Sequence, residues 1–217
     1  METPKNLILD LDNTMYPKSS GLDEAMRQRI VLYLVERHGL TIEQATGLRQ
    51  RYVREFGLSL PGIMRDFPVD VVDYQAFIHD VDVSLYVKPD PTLRDFLAGC
   101  RLRKVIFTNS SNDHVARVLD ALGIEAAAFS NIIDYTGTGF RSKPQPEAFE
   151  AMLSQVGAEG PDCIMVDDLP KTICVAKNQF GMRCALVDED GTGGCDEADW
   201  SIRNIGELPG IIEEAIE

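Results

Sequence analysis

The sequence predicts an α/β fold, with a doubly wound, Rossmann-like parallel sheet as the core and a helical cap subdomain inserted into it. Short apolar runs bounded by polar residues recur along the chain, and helical segments that end at a glycine separate them. Between Asn13 and Lys104, however, about 90 residues contain no such run, whereas a simple crossover needs only about a dozen. This stretch therefore indicates an insertion.

The core strands are predicted where short apolar runs suit burial on both faces of a parallel sheet. These runs are residues 7–9, 105–107, 163–166, 184–187 and 200–202. Apolar residues with helical spacing predict helices over 113–122, 146–156 and 173–180, each followed by a glycine. Strand, helix, glycine and strand in this order are typical of βαβ units.

The inserted stretch has a helical pattern. Thr41 and Gln44 form a capping-box pair before an apolar stripe that ends at Gly57, and Ser20 and Asp23 resemble a second pair before another stripe. A third helix is predicted over 69–81. We therefore divide the chain into a core domain, residues 1–16 and 89–217, and the cap subdomain, residues 17–88, whose proline-containing ends suit a hinge.

Composition limits the classes of partner. The chain has 35 acidic and 21 basic residues and a net charge of −14, which disfavours nucleic acid and anionic membrane surfaces as partners. No apolar run approaches the roughly 18 residues of a membrane span, and the N-terminus lacks the pattern of a secretory signal. The five cysteines include no Cys-x-x-Cys pair, so we interpret them as reduced thiols in the core of a cytoplasmic protein. The oligomeric state is not predicted.

Acidic pairs follow two of the predicted strands. Asp10 and Asp12 are two residues apart at a strand end, so their side chains point the same way, into the crevice where open α/β sheets bind ligands. Asp167 and Asp168 end another core strand. The alternatives are a solvated turn for the first pair and a helix N-cap at Asp168. Together the pairs favour a Mg²⁺ site, because a divalent cation relieves the repulsion between close carboxylates.

A segment of hydroxyl and amide side chains follows a second strand. Thr108, Asn109 and Ser110 lie before a predicted helix, where a hydroxyl and free N–H groups can bind an anion. The alternative is ordinary N-capping of this helix by Ser110, Ser111 or Asn112.

Lys143 lies in a turn before the helix that begins near Pro146. It is either a fixed cation beside a bound phosphate or a solvated surface lysine. The remaining candidates match no ligand or phosphate-loop pattern and receive no role: His38, His79, His114 and the glycine-rich segment 191–194.

Taken in order, these four segments resemble the four motifs of the haloacid dehalogenase-like hydrolase superfamily. They extend from residue 10 to residue 168. Within the superfamily, residues 10–17 and the Asp167–Asp168 pair are similar to the pyrimidine 5′-nucleotidase-like branch, which carries a helical cap inserted after the first motif. That branch often has Ser and Asn where this chain has Leu169 and Thr172.

The resemblance implies a Mg²⁺-dependent phosphatase that hydrolyses a small-molecule phosphomonoester through an aspartyl-phosphate. A pyrimidine nucleoside 5′-monophosphate is the leading candidate substrate. Asp10 is implied as the nucleophile, and Asp12 as the general acid and then the base. The implied phosphoryl-binding groups are Thr108, the backbone N–H of Asn109, and Lys143. The implied Mg²⁺ ligands are Asp10, the backbone carbonyl of Asp12, and Asp167 or Asp168.

Three other functions are compared with this one. A phosphomutase acting on a sugar phosphate also forms a phospho-aspartate. A non-catalytic phospholigand-binding protein on the same fold has no need of Asp12. A dehalogenase has no leaving alkoxide to protonate, so Asp12 argues against it as well.

Overall fold

The computed structural model describes residues 3–216. Six parallel strands form the sheet in this part of the chain, in the order β3-β2-β1-β4-β5-β6. The strands are β1 Asn6–Leu9, β2 Arg103–Phe107, β3 Asn131–Ile133, β4 Cys163–Asp167, β5 Arg183–Val187 and β6 Trp200–Ile202. The predicted α/β class with a doubly wound parallel sheet is confirmed.

From β2 to β5 the helices of the described chain alternate with the strands, whereas β6 follows β5 without an intervening helix. The helices are α1 Leu22–His38, α2 Ile42–Phe56, α3 Ser59–Asp66, α4 Val71–Ile78, α5 Pro91–Gly99, α6 Asn112–Leu122, α7 Pro146–Val156, α8 Pro170–Phe180 and α9 Leu208–Ile216. No helix within residues 3–216 has the length and apolar character needed to cross a membrane.

The position of the site follows from the strand order. From the adjacent strands β1 and β4 the chain proceeds outward in opposite directions, through β2 and β3 on one side and β5 and β6 on the other. Ligands of doubly wound sheets bind at such a switch point, outside the carboxyl ends of the strands. Every residue of β1 and β4 is buried, because these central strands are covered on both faces.

The chain divides into two compact units, of which the second runs from Gly21 to Tyr86 and contains α1 to α4. The first contains the sheet, ends at Ser20 and resumes at Val87. Residues 18–20 form a short 3₁₀ helix in the first unit, where the Ser19 N–H donates to Glu189 at 3.1 Å. The second unit thus begins at Gly21, within the predicted range of 17–88, and its role as a cap stays a prediction.

Several predicted details are corrected. Helix α1 begins after Gly21, whose left-handed backbone (φ 83°) opens the helix without a side-chain cap, so the predicted pair of Ser20 and Asp23 is wrong. The helix predicted over 69–81 covers only 71–78, because the Asp70 side chain caps it at 71. Four elements were not predicted: β3, α3, α5 and α9.

Candidate active site

Asp10 and Asp167 lie side by side at the carboxyl ends of β1 and β4. Leu9 pairs with Val166, and the Asp10 N–H donates to the Val166 carbonyl at 2.9 Å, which extends the pairing into the site. Asp10 is 6% exposed and Asp167 is fully buried. Asp10 is therefore not a solvated turn residue, and α8 begins after Leu169 without a side-chain cap, so the alternative of an N-cap at Asp168 is wrong.

Lys143 connects these two carboxylates. Its Nζ lies 2.7 Å from Asp10 Oδ1 and 2.7 Å from Asp167 Oδ2, and the side chain is 2% exposed. The alternative of a solvated surface lysine is therefore wrong. Burial alone would lower the pKa of Lys143, but the two carboxylates outweigh it and hold the pKa above its usual value.

Asn109 holds the turn that carries Lys143. Its side-chain Oδ1 accepts from the Lys143 N–H at 2.8 Å, and its Nδ2 donates to the Lys143 carbonyl at 3.2 Å. The Asn109 side chain therefore positions the lysine. Any contact of Asn109 with a phosphoryl group would come from its backbone N–H.

The carboxylates of Asp10, Asp167 and Asp168 offer oxygens that lie within 4.8 Å of one another. Three carboxylates face one ammonium group here, so the cluster has an excess of negative charge, and its oxygen donors are those that Mg²⁺ prefers. Asp167 already accepts from Lys143 and from the Leu169 N–H at 2.9 Å. The donor set fits Mg²⁺, and within the acidic pair Asp168, whose Oδ2 accepts from Asn13 Nδ2 at 3.4 Å, is the better placed carboxylate.

The charge excess shifts the titration of the cluster. Burial, together with the neighbouring Asp167 and Asp12, raises the pKa of Asp10 to about 7, although Lys143 opposes the shift. Burial and the charges of Asp167 and Asp10 raise the pKa of Asp168 to about 8. Both raised pKa values indicate that too little positive charge surrounds these two carboxylates. A bound dication would supply that charge.

Asp12 has a different set of partners. Its Oδ1 lies 2.8 Å from His114 Nε2 and accepts from the Tyr16 hydroxyl at 2.6 Å, while its Oδ2 accepts from the Ser110 hydroxyl. Burial opposes ionisation, but these contacts, that of His114 foremost, hold the pKa of Asp12 below its usual value. Both oxygens of the Asp12 carboxylate are therefore engaged by these partners, and the group that the resemblance implies for Mg²⁺ is its backbone carbonyl.

His114 is the residue that sequence reasoning missed. It is fully buried in the first turn of α6, and the Ser111 hydroxyl, which caps α6, accepts from its N–H. The available signal was its position, because the first turn of a helix that follows a sheet strand faces the crevice. Spacing between histidines, which the sequence interpretation relied on, has no bearing on this contact. The contacts of Tyr16 and Ser110 with Asp12 were likewise not predicted.

Two threonines lie on the segments that follow β1 and β2, and Thr14 contacts the cluster directly. Thr14 donates its hydroxyl to Asp10 Oδ2 at 3.1 Å, and the left-handed backbone of Asn13 (φ 61°), which asparagine tolerates, turns the chain between them. Thr108 follows β2 and is 1% exposed, and its Oγ1 accepts from the Ser110 N–H at 3.1 Å. The Ser110 contact with Asp12 brings this second segment against the first.

The residues that depart from the nucleotidase-like pattern have separate surroundings. Leu169 supports Asp167 through its backbone N–H, so no side-chain donor is needed there. Thr172 is fully buried, and its hydroxyl has no hydrogen-bond partner among the described residues.

A parallel α/β sheet with a buried carboxylate, a buried lysine and an acidic cluster at its switch point defines a class of enzymes that hydrolyse or transfer small groups. Comparison with known families makes the class specific. The profile of the haloacid dehalogenase-like hydrolases matches residues 4–178, and the chain belongs to this family.

Individual relatives agree with this assignment. Phosphate metabolism protein 8 of Saccharomyces cerevisiae is 30% identical over 166 residues, which are 70% of this chain and 52% of the relative. The chain thus spans about half the length of that protein.

Solved structures of the same fold include a HAD phosphatase from Thermococcus onnurineus, with 20% identity, a TM-score of 0.66 and coverage of 96% of this chain and 97% of that chain. They also include L-2-haloacid dehalogenase from Xanthobacter autotrophicus, with 17% identity, a TM-score of 0.59 and coverage of 97% and 98%. Phosphatases and dehalogenases therefore share this fold, and the nucleotidase-like branch stays a prediction.

Proposed function

We propose that this protein is a Mg²⁺-dependent phosphatase that hydrolyses a small phosphomonoester through a phospho-aspartate at Asp10. The observation that carries the proposal is the pair of aspartates with separate partners. Asp10 is held by Lys143 and Thr14, whereas Asp12 is held by His114, Tyr16 and Ser110. Two carboxylates in distinct environments suit the two roles of nucleophile and acid–base.

The second aspartate separates this proposal from dehalogenation. Displacement of a halide needs no proton, because halide ions are stable leaving groups. An alkoxide leaves from a phosphomonoester only slowly unless a nearby acid protonates it. Asp12 lies two residues from the proposed nucleophile and is positioned by His114, Tyr16 and Ser110, which supports a reaction that needs an acid.

In the first step, a carboxylate oxygen of Asp10 attacks phosphorus, and the bond from phosphorus to the ester oxygen breaks. Asp12 gives its proton to that oxygen, and the alcohol leaves. In the second step, the ionised Asp12 takes a proton from water as the water oxygen attacks the phosphorus of the phospho-aspartate. Inorganic phosphate leaves, and Asp10 is regenerated with Asp12 protonated.

The low pKa of Asp12 suits the second step directly, because the carboxylate is the form that accepts a proton. For the first step, the incoming phosphoryl group brings negative charge, which raises the pKa of a neighbouring carboxyl. Lys143 balances the charge of Asp10 as the anionic substrate approaches, and Thr108 and the backbone N–H of Asn109 bind the phosphoryl oxygens.

Mg²⁺, held by Asp10, Asp168 and the backbone carbonyl of Asp12, would supply positive charge that offsets the repulsion between nucleophile and phosphate. Asp167 is fully buried and holds Lys143 in place, so its contribution to the metal is indirect. We therefore propose Asp168, rather than Asp167, as the member of the acidic pair that binds the ion directly.

We propose that the helical unit, Gly21–Tyr86, selects the substrate. The residues at the strand ends would bind only the phosphoryl group, which every phosphomonoester carries. A pyrimidine nucleoside monophosphate is the leading candidate, supported by the similarity of residues 10–17 to the nucleotidase-like branch. The yeast relative, whose name refers to phosphate metabolism, is consistent with a phosphomonoester.

The test measures phosphate release by the full chain from a broad panel of phosphomonoesters, with Mg²⁺ or with chelator. We expect activity only with Mg²⁺, and Asp10→Asn should lose several powers of ten because it removes the nucleophile. Asp95→Asn is the matched control, since Asp95 is 71% exposed on α5. Retention of more than about a tenth of the rate by Asp10→Asn, or halide release without phosphate release, contradicts the proposal.

A further inference from the structure

Two cysteines and a glutamate meet away from the acidic cluster. Cys174 lies on α8, and Cys195 and Glu197 lie on the segment between β5 and β6. The Sγ atoms of the two cysteines are 3.9 Å apart, and Cys195 Sγ is 3.4 Å from Glu197 Oε2. One ligand atom of each of the three residues lies within 4.8 Å of the others. We propose that these residues bind a thiophilic divalent cation of the zinc type.

The distances are those of a tetrahedral site. With zinc–sulfur bonds of about 2.3 Å, two tetrahedral sulfur ligands are about 3.8 Å apart. With a zinc–oxygen bond of about 2.0 Å, the sulfur–oxygen separation is about 3.5 Å. The observed 3.9 Å and 3.4 Å match these two of the three ligand–ligand edges, and the third lies within 4.8 Å. A disulfide would instead require the two sulfurs to approach to about 2.05 Å.

The ligands are held before any ion binds. Asp188 accepts from the N–H groups of Thr192 and Gly193, at 3.2 Å and 3.0 Å, which fixes the start of the segment that carries Cys195. At its other end Asp199 pairs with Lys177 of α8 at 2.5 Å. The segment is thus tied to the helix that carries Cys174, so little conformational freedom is lost on binding.

The site is accessible, because Cys174, Cys195 and Glu197 are all partly exposed. Three protein ligands leave a fourth tetrahedral position for water or an external group. The two thiols and the carboxylate differ from the all-oxygen cluster at Asp10, which suits Mg²⁺. Sequence spacing did not indicate this site, because the cysteines are 21 residues apart on a helix and a loop. The interpretation of the cysteines as core thiols applies to the buried Cys163 and Cys184.

The experiment uses the reduced, chelator-treated full chain, with excess Mg²⁺ to occupy the oxygen cluster, and titrates it with Co²⁺. We expect one equivalent to produce a sulfur-to-cobalt charge-transfer band and the visible bands of tetrahedral Co²⁺, which Zn²⁺ then abolishes by displacement. Cys174→Ser and Cys195→Ser should lose the charge-transfer intensity, and Glu197→Gln should weaken binding at least about tenfold. Cys100→Ser, which changes another partly exposed cysteine, should behave as the wild type.

A second measurement uses the unmodified chain and so does not depend on the folding of a variant. Zn²⁺ should slow alkylation of Cys174 and Cys195 more than about tenfold, and leave Cys100 unchanged. Absence of a thiolate–cobalt band, its persistence in both cysteine variants, or unprotected thiols would overturn the proposal. Formation of a Cys174–Cys195 disulfide in a chain that takes up no Co²⁺ would also overturn it. None of these readouts requires phosphatase activity.

Discussion

Asp10 and Asp12 are two residues apart, yet their electrostatic surroundings drive their titrations in opposite directions. Burial, together with the charges of Asp167 and Asp12, raises the pKa of Asp10 to about 7 although Lys143 opposes the shift. His114 and two hydroxyl donors hold the pKa of Asp12 below its usual value. When the surroundings of two carboxyl groups shift their pKa values in opposite directions, the groups can perform different chemical roles, here those of nucleophile and acid–base.

The role of Asp12 can be separated from that of Asp10 by the leaving group. Asp12→Asn should slow hydrolysis of an alkyl phosphate far more than that of an activated aryl phosphate, because a good leaving group needs little protonation. The measurement is kcat/KM for the two substrates in wild type and variant, because kcat/KM reports on the first step, whereas the second step needs Asp12 as the base with either substrate. Equal losses on both would remove Asp12 from the acid role.

The acidic cluster should make the metal-free protein less stable as pH rises. The pKa values of Asp10 and Asp168 are about 7 and about 8 in the folded chain, against about 3.9 when unfolded. Between about pH 4 and pH 8 the folded state thus binds more protons than the unfolded state, so stability falls as pH rises. The low pKa of Asp12 acts only below this window.

We therefore expect the melting temperature in chelator to decrease from about pH 5 to about pH 8. Mg²⁺ should counteract the decrease, most strongly at the upper end, since it binds the ionised carboxylates. Asp168→Asn should flatten the profile in chelator because it removes one of the two groups, whereas Asp95→Asn should leave it unchanged. A profile in chelator that rises over this range contradicts the assignment.

The residues at strand ends could be predicted, and those that surround them could not. The order of strands and turns determines the positions of Asp10 and Asp167 at strand ends, and that of Lys143 in the turn before α7. The contact of His114 with Asp12 depends on the rotation of α6 about its axis, which no short-range pattern encodes. The same holds for Tyr16, which reaches Asp12 only after the chain reverses at Asn13.

At the level of secondary-structure elements, short length and poor local propensity explain why some strands and helices could not be predicted from the sequence. Strand β3 has only three residues. Helix α3 has eight residues and contains Pro61 and Gly62, both unfavourable in helices, although proline is tolerated in a first turn. Packing of α3 against α2, rather than propensity, therefore specifies this helix.

Gly62 is required by that packing. A Cβ at Gly62 would lie 2.2 Å from Cδ1 of Tyr52, which is fully buried on α2. Gly62→Ala should therefore destabilise the helical unit by about 3 kcal/mol, despite the better helix propensity of alanine.

Gly47 on α2 provides the matched control, because a Cβ there meets no atom within 4 Å. Gly47→Ala should stabilise the same unit by about 0.5–1 kcal/mol. Urea unfolding followed by circular dichroism measures the change in stability of both variants. Trp200 fluorescence reports on the unit that contains the sheet. If the two variants unfold at the same urea concentration, the predicted clash is absent.

On the scale of the whole molecule, the alternation of buried strands and glycine-terminated helices was sufficient for the fold class. It requires only local patterns repeated along the chain, whereas the strand order was not predicted, since the connection from β1 to β2 contains the whole helical unit. The contact between Cys174 and Cys195 likewise could not be predicted from local patterns. It depends on how the segment between β5 and β6 folds back on α8, and this information is distributed over many contacts.

The net charge of −14 leads to a prediction about substrate size that rests on the proposed phosphatase activity. A matched pair of substrates is UMP and a short oligouridylate with the same 5′-terminal phosphate. Both offer the group that Asp10 attacks, but the oligomer carries additional negative charges that the field of the protein repels. We expect a kcat/KM for UMP at least about 100-fold higher at low salt.

The dependence on salt concentration distinguishes electrostatic repulsion of the oligomer from its steric exclusion. Raising the ionic strength from about 0.01 M to about 0.1 M shortens the Debye length from about 30 Å to about 10 Å, so it screens the repulsion of the distant phosphates. If charge causes the discrimination, the ratio of kcat/KM values should narrow with salt, whereas exclusion by the helical unit would leave it unchanged. Equal turnover of the two substrates at low salt would contradict both causes, and with them the proposal that the enzyme acts on small phosphomonoesters.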